Sequence, residues 1–535
     1  MKKTIVVLLL AAICAAPAMA QPKIEKSEPI EAPGQNYMKV VMMRNGKTCY
    51  LQYNGDGGIA LNIYNADRKL ASKTKISSTR WDAYTTKNTT VLGTYDINGE
   101  LVVFLQQQDK KHPVLYRLRI NTDDGKLLKE DVLATTKKGN GFMAKDRVNT
   151  QLFVVKDKQS DCYAVIFFDN LDENADDALK ILHFDGKHNL LSTGRMTAPD
   201  KNIRNIVYLD GVVNGDKNVF FSTYFTGSGD ESSKIYVSRL DAGQTTITTK
   251  AIDFSEDFMN SNASMTYNPV SKKIQMVIAT FEKTKRSQNI YLSLIAYIDP
   301  ATLDISAIKP NENEKISSFA RNNLAYENDF PGLPQASFVN SRGETIILKQ
   351  AMAYTVVSSS KGGSYIQSTT LGDIGISHMA PDGHETESYL VPHVSLAGGE
   401  IHMMYMDDIQ NGAWQNLFGD RHYGTSDQDY TFRYVCGQKG DYVIFNDYLK
   451  NLDNPDNERL KQKDKLNSQL NASYTITKNG NISRAFLFEK PTDKRSQQEI
   501  YMSAADQDDN GHVATLMYTA TAKNEEYRVV WISFE

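Results

Sequence analysis

Runs of six to eight apolar and β-branched residues recur along the chain, each opened by a short polar turn rich in Gly, Asp and Lys. They read NGKTCYLQY, NGELVVFLQ, QSDCYAVIFF, GDKNVFFSTYF, SKKIQMVIATF, RGETIILKQ, GGEIHMMYM, KGDYVIFNDY and NGHVATLMY. Their turns end at Lys47, Glu100, Asp161, Asn218, Lys273, Glu344, Glu400, Asp441 and His512, an average step of about 58 residues. Short apolar runs bounded by turn signals read as strands. Most are continuously apolar rather than alternating, which predicts sheets covered on both faces.

A second strand-like run follows many of these after a polar loop (PVLYRLRIN, LKILHFDGK, SKIYVSRLD, NIYLSLIAYID), and a third follows turns such as NTDDGKLLKE. A further run precedes each unit, as in RNIVYLDG and TQLFVVKD. Four antiparallel strands per repeat, each sheet covered by its neighbours, describe the blade of a β-propeller. The expected fold is all-β, a propeller of seven or eight four-stranded antiparallel blades. The turns at Glu400 and Asp441 lie close together and are read as sharing one distorted repeat. The last run, YRVVWISFE, ends one strand short. Residues 22–35 or 36–43 are therefore expected to supply the missing strand, so that N- and C-terminal strands close the ring. Helical periodicity is confined to EKISSFARNN after Asn313 and ERLKQKDKLNSQL after Asn457, both read as excursions from loops. The chain resembles secreted bacterial β-propeller repeat proteins over nearly all of its mature length. The resemblance is one of architecture alone: a sialidase-type S-x-D-x-G-x-T-W box and a W-D repeat signature are both missing.

Residues 1–20 stand apart. Lys2 and Lys3 precede a short apolar core, and Ala18 to Ala20 form a small-x-small cleavage site before Gln21. This reads as a signal peptide. The domain plan is then 1–20 signal peptide, 21–35 N-terminal extension and 36–535 a single propeller domain, with insertions near 309–333, 412–430 and 451–471. Export to the periplasm, the outer-membrane surface or the extracellular space is the expected destination, with no membrane span in the mature chain. Loss of Lys2 and Lys3 takes the net charge from −4 to −6. An acidic balance lacks the basic footprint that nucleic acid requires. Cys49, Cys162 and Cys436 each lie in or beside an apolar run and are read as buried thiols.

Two stretches echo each other: FEKTKRSQNIYLS at Phe281 and FEKPTDKRSQQEIYMS at Phe488. The repeat places the first between the second and third strands of one blade. It places the second across the join between two blades, which leaves the loops free to lie on opposite faces.

The largest departure from the repeat is GAWQNLFGDRHYGTSDQDY, from Gly412 to Tyr430. Its Trp414, Phe418, Arg421, His422 and Tyr423 are the candidate ligand-binding residues, because Trp, Tyr and Arg dominate binding hot spots and loops on rigid scaffolds carry function. The alternative is a loop that buries its own aromatics. FFDNLDEN, YMDDIQNG and FNDYLKN share an aromatic-x-Asp pattern just past an apolar run. Asp169, Asp407 and Asp447 thus become candidate acid–base carboxylates for a glycan, against the plainer reading of strand-end residues bonding to local backbone. DQDDNGHV matches the first half of a calcium loop, with Asp506, Asp508 and Asn510 as candidate Ca2+ ligands. Met517 stands where the closing Glu belongs, and Asp-Asn-Gly is equally a hairpin turn. His378, His384, His393, His402 and His422 crowd one region but lack zinc-site spacing, and are read as surface and turn residues. The expected function is an envelope binding or scaffolding module for a protein partner or a glycan. A polysaccharide hydrolase or lyase and a structural envelope component are the alternatives.

Overall fold

The computed structural model describes residues 21–534 except 34–36, 55–57, 82–88, 110–111, 136–151, 168–178, 197–202, 228–233, 253–257, 284–288, 311–312, 341, 359–363, 399–431, 438–439, 453–469, 479–480, 492–495 and 509. The chain is almost entirely strand. Six successive antiparallel sheets span residues 38–76, 89–135, 152–196, 203–252, 258–310 and 333–391, each with its four main strands in chain order. The remaining strands form one nine-stranded sheet. Its pairing divides it into two four-stranded groups joined through the single parallel pair Asn471–Gln498. Sheet 7 holds Phe432–Cys436, Asp441–Tyr448, Leu470–Lys478 and Asn481–Phe486. In sheet 8 the first strand is split into Gln497–Ile500 and Asp506–Gln507, followed by His512–Ala520 and Glu525–Ser533. Its fourth strand is Lys23–Lys26, from the other end of the chain, in antiparallel register with Val530–Ser533.

The core sits between sheets, as the continuous apolar runs imply. Cys49, Leu61 and Ile63 of sheet 1 share a cluster with Leu101, Val103 and Leu118 of sheet 2, and each following pair of sheets shares one in turn. Sheet 8 packs on sheet 1 through Leu516, Val529 and Trp531 against Val40, Tyr50 and Tyr64. First strands of sheets 8, 1, 2, 3, 4, 5 and 6 lie beside one another in that order, which makes them the inner strands. Fourth strands form the rim, with alternating exposure such as that of Leu70–Ile76. On or just past the inner strands Asp96, Asp157, Asp210 and Asp506 each accept a backbone N–H from a neighbouring sheet: from Arg44, Gly215, Met265 and Met42, respectively.

Antiparallel order gives the molecule two unlike faces. Turns between strands 1 and 2 and between strands 3 and 4 fall on one, the hairpin face. They are tight, as at Asn98–Gly99, where both residues have positive φ and Ile97 pairs with Glu100, the geometry of a two-residue type I′ turn. Strand ends on the other face are joined by the connections between strands 2 and 3 and from one sheet to the next. On this loop face Ser395–Gly398 and Asp441–Tyr448 end, and Phe432–Cys436 and Leu470–Lys478 begin. Both echoing stretches join strand ends on this same face, which corrects the expectation that they are free to lie on opposite ones. The first follows Lys273–Lys283 and the second follows Asn481–Phe486, the strands assigned to them from sequence.

Helix α1, Glu314–Leu324, occupies the expected first helical excursion; it buries Ile316, Ala320 and Leu324 and stops at Ala325 in the left-handed conformation. The second helical prediction lies outside the described residues. Among the described residues no helix is long and apolar enough to cross a membrane.

Candidate functional site

The loop face is most built up over sheets 5 to 7. Strands Thr345–Ser358 and Ser364–Met379 of sheet 6 run on past the point where Ile374 pairs with Val391 of the fourth strand. The excess forms a two-stranded arm, about 25 Å long at the usual rise per residue. The short strand Ser395–Gly398 pairs alongside it. Helix α1 packs along the fourth strand of sheet 6, anchored at the hairpin-face end by Lys315, whose backbone N–H donates to Glu385 and whose Nζ donates to Thr386 O, so that its C-terminal end reaches the base of the arm.

Under this superstructure several titratable side chains meet. Asp373 sits where the arm's register shifts, between the pairs Gln350–Ile374 and Met352–Leu371, and such irregularities re-aim side chains. Its Oδ2 accepts the Tyr326 hydroxyl at 2.6 Å and its Oδ1 accepts the His393 backbone N–H at 3.0 Å. Tyr326 follows the left-handed cap of α1, so the helix stop places the phenol. The His393 ring stands at 89° to Phe445, with centroids 5.4 Å apart. The Arg484 guanidinium lies 5.2 Å from the same Phe445 ring, donates to Pro392 O, and reaches Asp447 Oδ2 at 3.2 Å. Asp447 Oδ1 accepts the Tyr448 N–H and the Asn451 Nδ2, both at 2.8 Å. Burial pushes the Asp447 carboxyl above its ordinary range, and Arg484 pulls against that shift.

Next to Tyr326 lies a cleft of about 360 Å³, lined by Ala325, Tyr326, Glu327, Asn328, Asp329 and Pro331. Glu327, Asn328 and Asp329 are exposed, and Asp329 pairs with Arg321 of α1. A phenol, two carboxylates and an amide beside a proline offer hydrogen-bond acceptors and donors around an open hollow. Sequence reasoning placed an insertion at 309–333 but singled out none of these residues. The available signal was the run YEND immediately after the helical stretch.

The sequence candidates divide unevenly. Trp414, Phe418, Arg421, His422, Tyr423, Asp169 and Asp407 lie outside the described residues, as do His402 and the turn at Glu400. Asp447 stands at the loop-face end of its strand as its pattern implies, 2 % exposed, with its carboxylate held by Tyr448, Asn451 and Arg484. Asp506 and Asp508 diverge: Asp506 faces Met42 of sheet 1, while Asp508 turns back to accept the N–H groups of Asn510 and His512 and the His512 ring at 2.7 Å. Asn510 takes part in that turn through its backbone. Among the described residues no three His, Cys, Asp or Glu side chains gather as a metal site.

Two expectations are corrected. His378 and His393 are buried rather than on the surface, because each faces a neighbouring sheet. The His378 ring meets Asp441 at 2.5 Å. Cys49 and Cys162 are buried free thiols, but Cys436 is exposed because it ends its strand at the hairpin face. Burial pushes the Cys49 thiol up to about 12.

No protein-family model and no curated protein matches the chain. Among solved structures it is similar to polysaccharide lyase Uly1, at 9 % identity and a TM-score of 0.34, covering 83 % of this chain and 89 % of that one. It is also similar to the BP39L lectin from Burkholderia pseudomallei, at 8 % identity and a TM-score of 0.33, covering 66 % and 82 %. A third is uncharacterized protein lmo1340 from Listeria monocytogenes, at 11 % identity and a TM-score of 0.34, covering 88 % and 99 %. At such values no residue and no activity passes from them to this chain.

Proposed function

We propose that this chain is an exported binding module that holds a glycan on the loop face above sheets 5 to 7. One observation carries the reading: the 360 Å³ cleft beside α1 presents Tyr326, Glu327, Asn328 and Asp329 on a rigid ring of sheets. A sugar offers hydroxyls to bond and flat C–H faces to stack, and this set supplies acceptors, donors and one aromatic plane. The cleft volume falls at the low end of ordinary ligand pockets, matching one or two sugar units rather than a large cofactor. Trp414, Phe418, Arg421, His422 and Tyr423 extend the proposed contact set, because the strands that flank them in sequence, Ser395–Gly398 and Phe432–Cys436, meet their connection on the loop face.

Asp447 itself is not placed for turnover, and Asp329 of the cleft is already paired with Arg321. A glycosidase needs a pair of carboxyl groups open to one sugar. Asp447 instead spends both oxygens on Tyr448, Asn451 and Arg484 and stands 2 % exposed. A protein partner at the same face is the second reading, and the projecting arm with its exposed Val356 is what favours it.

The test is a screen of residues 21–535 on a polysaccharide array, alongside a pull-down from envelope extract, with wild type and Glu327→Ala/Asn328→Ala. Both substituted side chains are exposed, so the fold is preserved. Glycan binding lost in the variant supports the reading. Binding equal in both, or capture of a protein with silence on the array, overturns it.

A further inference from the structure

Lys39 and Arg433 belong to the inner strands of sheets 1 and 7, Met38–Met42 and Phe432–Cys436. Among the described residues those two sheets share no core cluster; they flank sheet 8 from opposite sides. Yet both cations reach the same atom. Lys39 Nζ donates to Ala505 O at 2.7 Å, and Arg433 NH2 donates to Ala505 O and, at 3.4 Å, to Met502 O. Met38–Met42 and Phe432–Cys436 are each the first strand of their sheet, so the two side chains meet over the inner edge of sheet 8.

The inner strand of sheet 8 is the split one. Between Gln497–Ile500 and Asp506–Gln507 the backbone leaves the ladder, and the freed carbonyls of Met502 and Ala505 draw the two cations in. That accounts for two or three of the eight N–H donors the pair carries. Both residues are 4 % exposed, and among the described residues neither has a carboxylate within ion-pair distance. Asp506 is the acid whose charge acts on both, but its Oδ2 accepts Met42 N and its Oδ1 accepts Gln507 N. Two like charges sharing one carbonyl in a buried place, with donors to spare and Asp506 as the one acid acting on them, form a site with an excess of positive charge.

We propose that Lys39 and Arg433 form an axial binding site for a compact oxyanion, a sulfate or carboxylate group, distinct from the loop-face cleft. The oxyanion accepts from Lys39 Nζ and the Arg433 guanidinium together and balances the pair. Such a group comes either from a free inorganic anion or from an acidic sugar. Guanidinium and ammonium side by side suit an oxyanion better than either alone, since one supplies a planar fork and the other a point charge.

The charge state of Lys39 gives the site a pH dependence. Burial, with Arg433 beside it, brings the Lys39 amine down to about 7, against the opposing pull of Asp506. Burial lowers Arg433 only to about 10, so it stays charged throughout. Lys39 is therefore charged below about pH 7 and neutral above it, and oxyanion binding weakens as pH rises through that value.

The test titrates residues 21–535 with sodium sulfate, against sodium chloride at equal ionic strength, and separately with methyl glucuronide. Heat release and thermal midpoint are read at pH 6.0 and pH 8.5. Sulfate is expected to bind roughly tenfold more tightly at pH 6.0, with a rise in midpoint that chloride does not produce. Lys39→Met is expected to abolish the difference and Lys39→Arg to keep binding at both pH values. A tighter response to methyl glucuronide identifies an acidic sugar as the source, and a sulfate-only response identifies a free anion. Sulfate and glucuronide without effect on wild type, or binding unchanged in Lys39→Met, overturns the proposal. Should Lys39→Met fail to fold by circular dichroism, the pH dependence of wild type decides alone: equal affinity at both values overturns it. Loop-face glycan binding is read on the Glu327/Asn328 variant, so either site can fail without the other.

Discussion

The Trp531 indole N–H donates to Thr48 Oγ1 at 2.9 Å, across 483 residues of sequence, and so ties the last sheet of the chain to the first. The same sheet takes its fourth strand from Lys23–Lys26, while Ser27 Oγ accepts Val529 N at 3.0 Å and Arg528 donates to Ser27 O at 2.7 Å. Residues 23–30 thus hold both ends of the chain together. Deleting residues 21–31 removes the buried part of Ile24 and a run of backbone hydrogen bonds. The expected cost is about 2–4 kcal/mol of stability. It also uncovers the edge of Glu525–Ser533, so the truncated protein is expected to self-associate. Thermal unfolding and gel filtration check both effects; an unchanged midpoint in a monomer contradicts them.

Between sheets 2 and 3, His188 sits in a buried relay. Its Nδ1 meets the Tyr163 hydroxyl at 3.0 Å, Tyr163 also meets Arg117, and His188 Nε2 lies 3.5 Å from Glu100, which Arg119 holds in a two-pronged pair. Burial first, then Arg117 and Arg119, bring the His188 ring down to about 4. The unfolded chain, with an ordinary histidine, takes up a proton near pH 6.5. Between those values the unfolded state binds more protons, so the contribution of His188 to stability is full above pH 6.5 and is lost as pH falls toward 4. His188→Gln is expected to flatten this part of the stability–pH curve. An NMR titration of the ring showing protonation near 6.5 contradicts the account.

Among the described residues Arg484 is the one charge that faces buried Asp447. Arg484→Met strands a carboxylate in an apolar setting and is expected to cost about 3–5 kcal/mol. Asp447→Asn with Arg484→Met is expected to recover most of that loss, since the remaining groups are neutral. Denaturant unfolding of the three variants measures the coupling. Additive losses show that the two side chains act independently and contradict the pairing.

Of Cys49, Cys162 and Cys436, one is open to solvent. A thiol reagent added to the native mature protein is expected to titrate one group ahead of the other two, assigned to Cys436 by its loss in Cys436→Ser, though burial and Asp441 raise that thiol and slow it below a free cysteine. Three groups reacting at one rate contradict the burial pattern.

Much of the fold was legible because a blade repeats its hairpin. Eight of the nine turn signals open the second strand of a sheet: Lys47, Glu100, Asp161, Asn218, Lys273, Glu344, Asp441 and His512. The missing outer strand was legible as a shortage at the C-terminal end. The sheet 6 arm was not, because AMAYTVVSSSKGGSYIQSTT alternates weakly and reads as loop once its apolar run ends. Nor was the break in the inner strand of sheet 8, which YMSAAD hides among small residues that suit strand and turn alike. Its consequence, the meeting of Lys39 and Arg433, depends on the order of sheets around the ring rather than on any local pattern. The same holds for Tyr326, Asp373 and His393, which a helix stop, an irregular strand and a separate connection bring to one place. His378 and His393 were misplaced for a related reason: a polar residue on a strand is buried whenever a neighbouring sheet supplies its partner.

The central claim is that ligand binds at the loop face over sheets 5 to 7. Hydrogen–deuterium exchange of residues 21–535, with and without the best glycan from the array, tests it most directly. The account predicts slowed exchange at 325–331, 364–373 and 392–398, with the hairpin turns at 96–100 and 214–218 unchanged. Protection confined to those hairpin turns, or absent from 325–331, would contradict it.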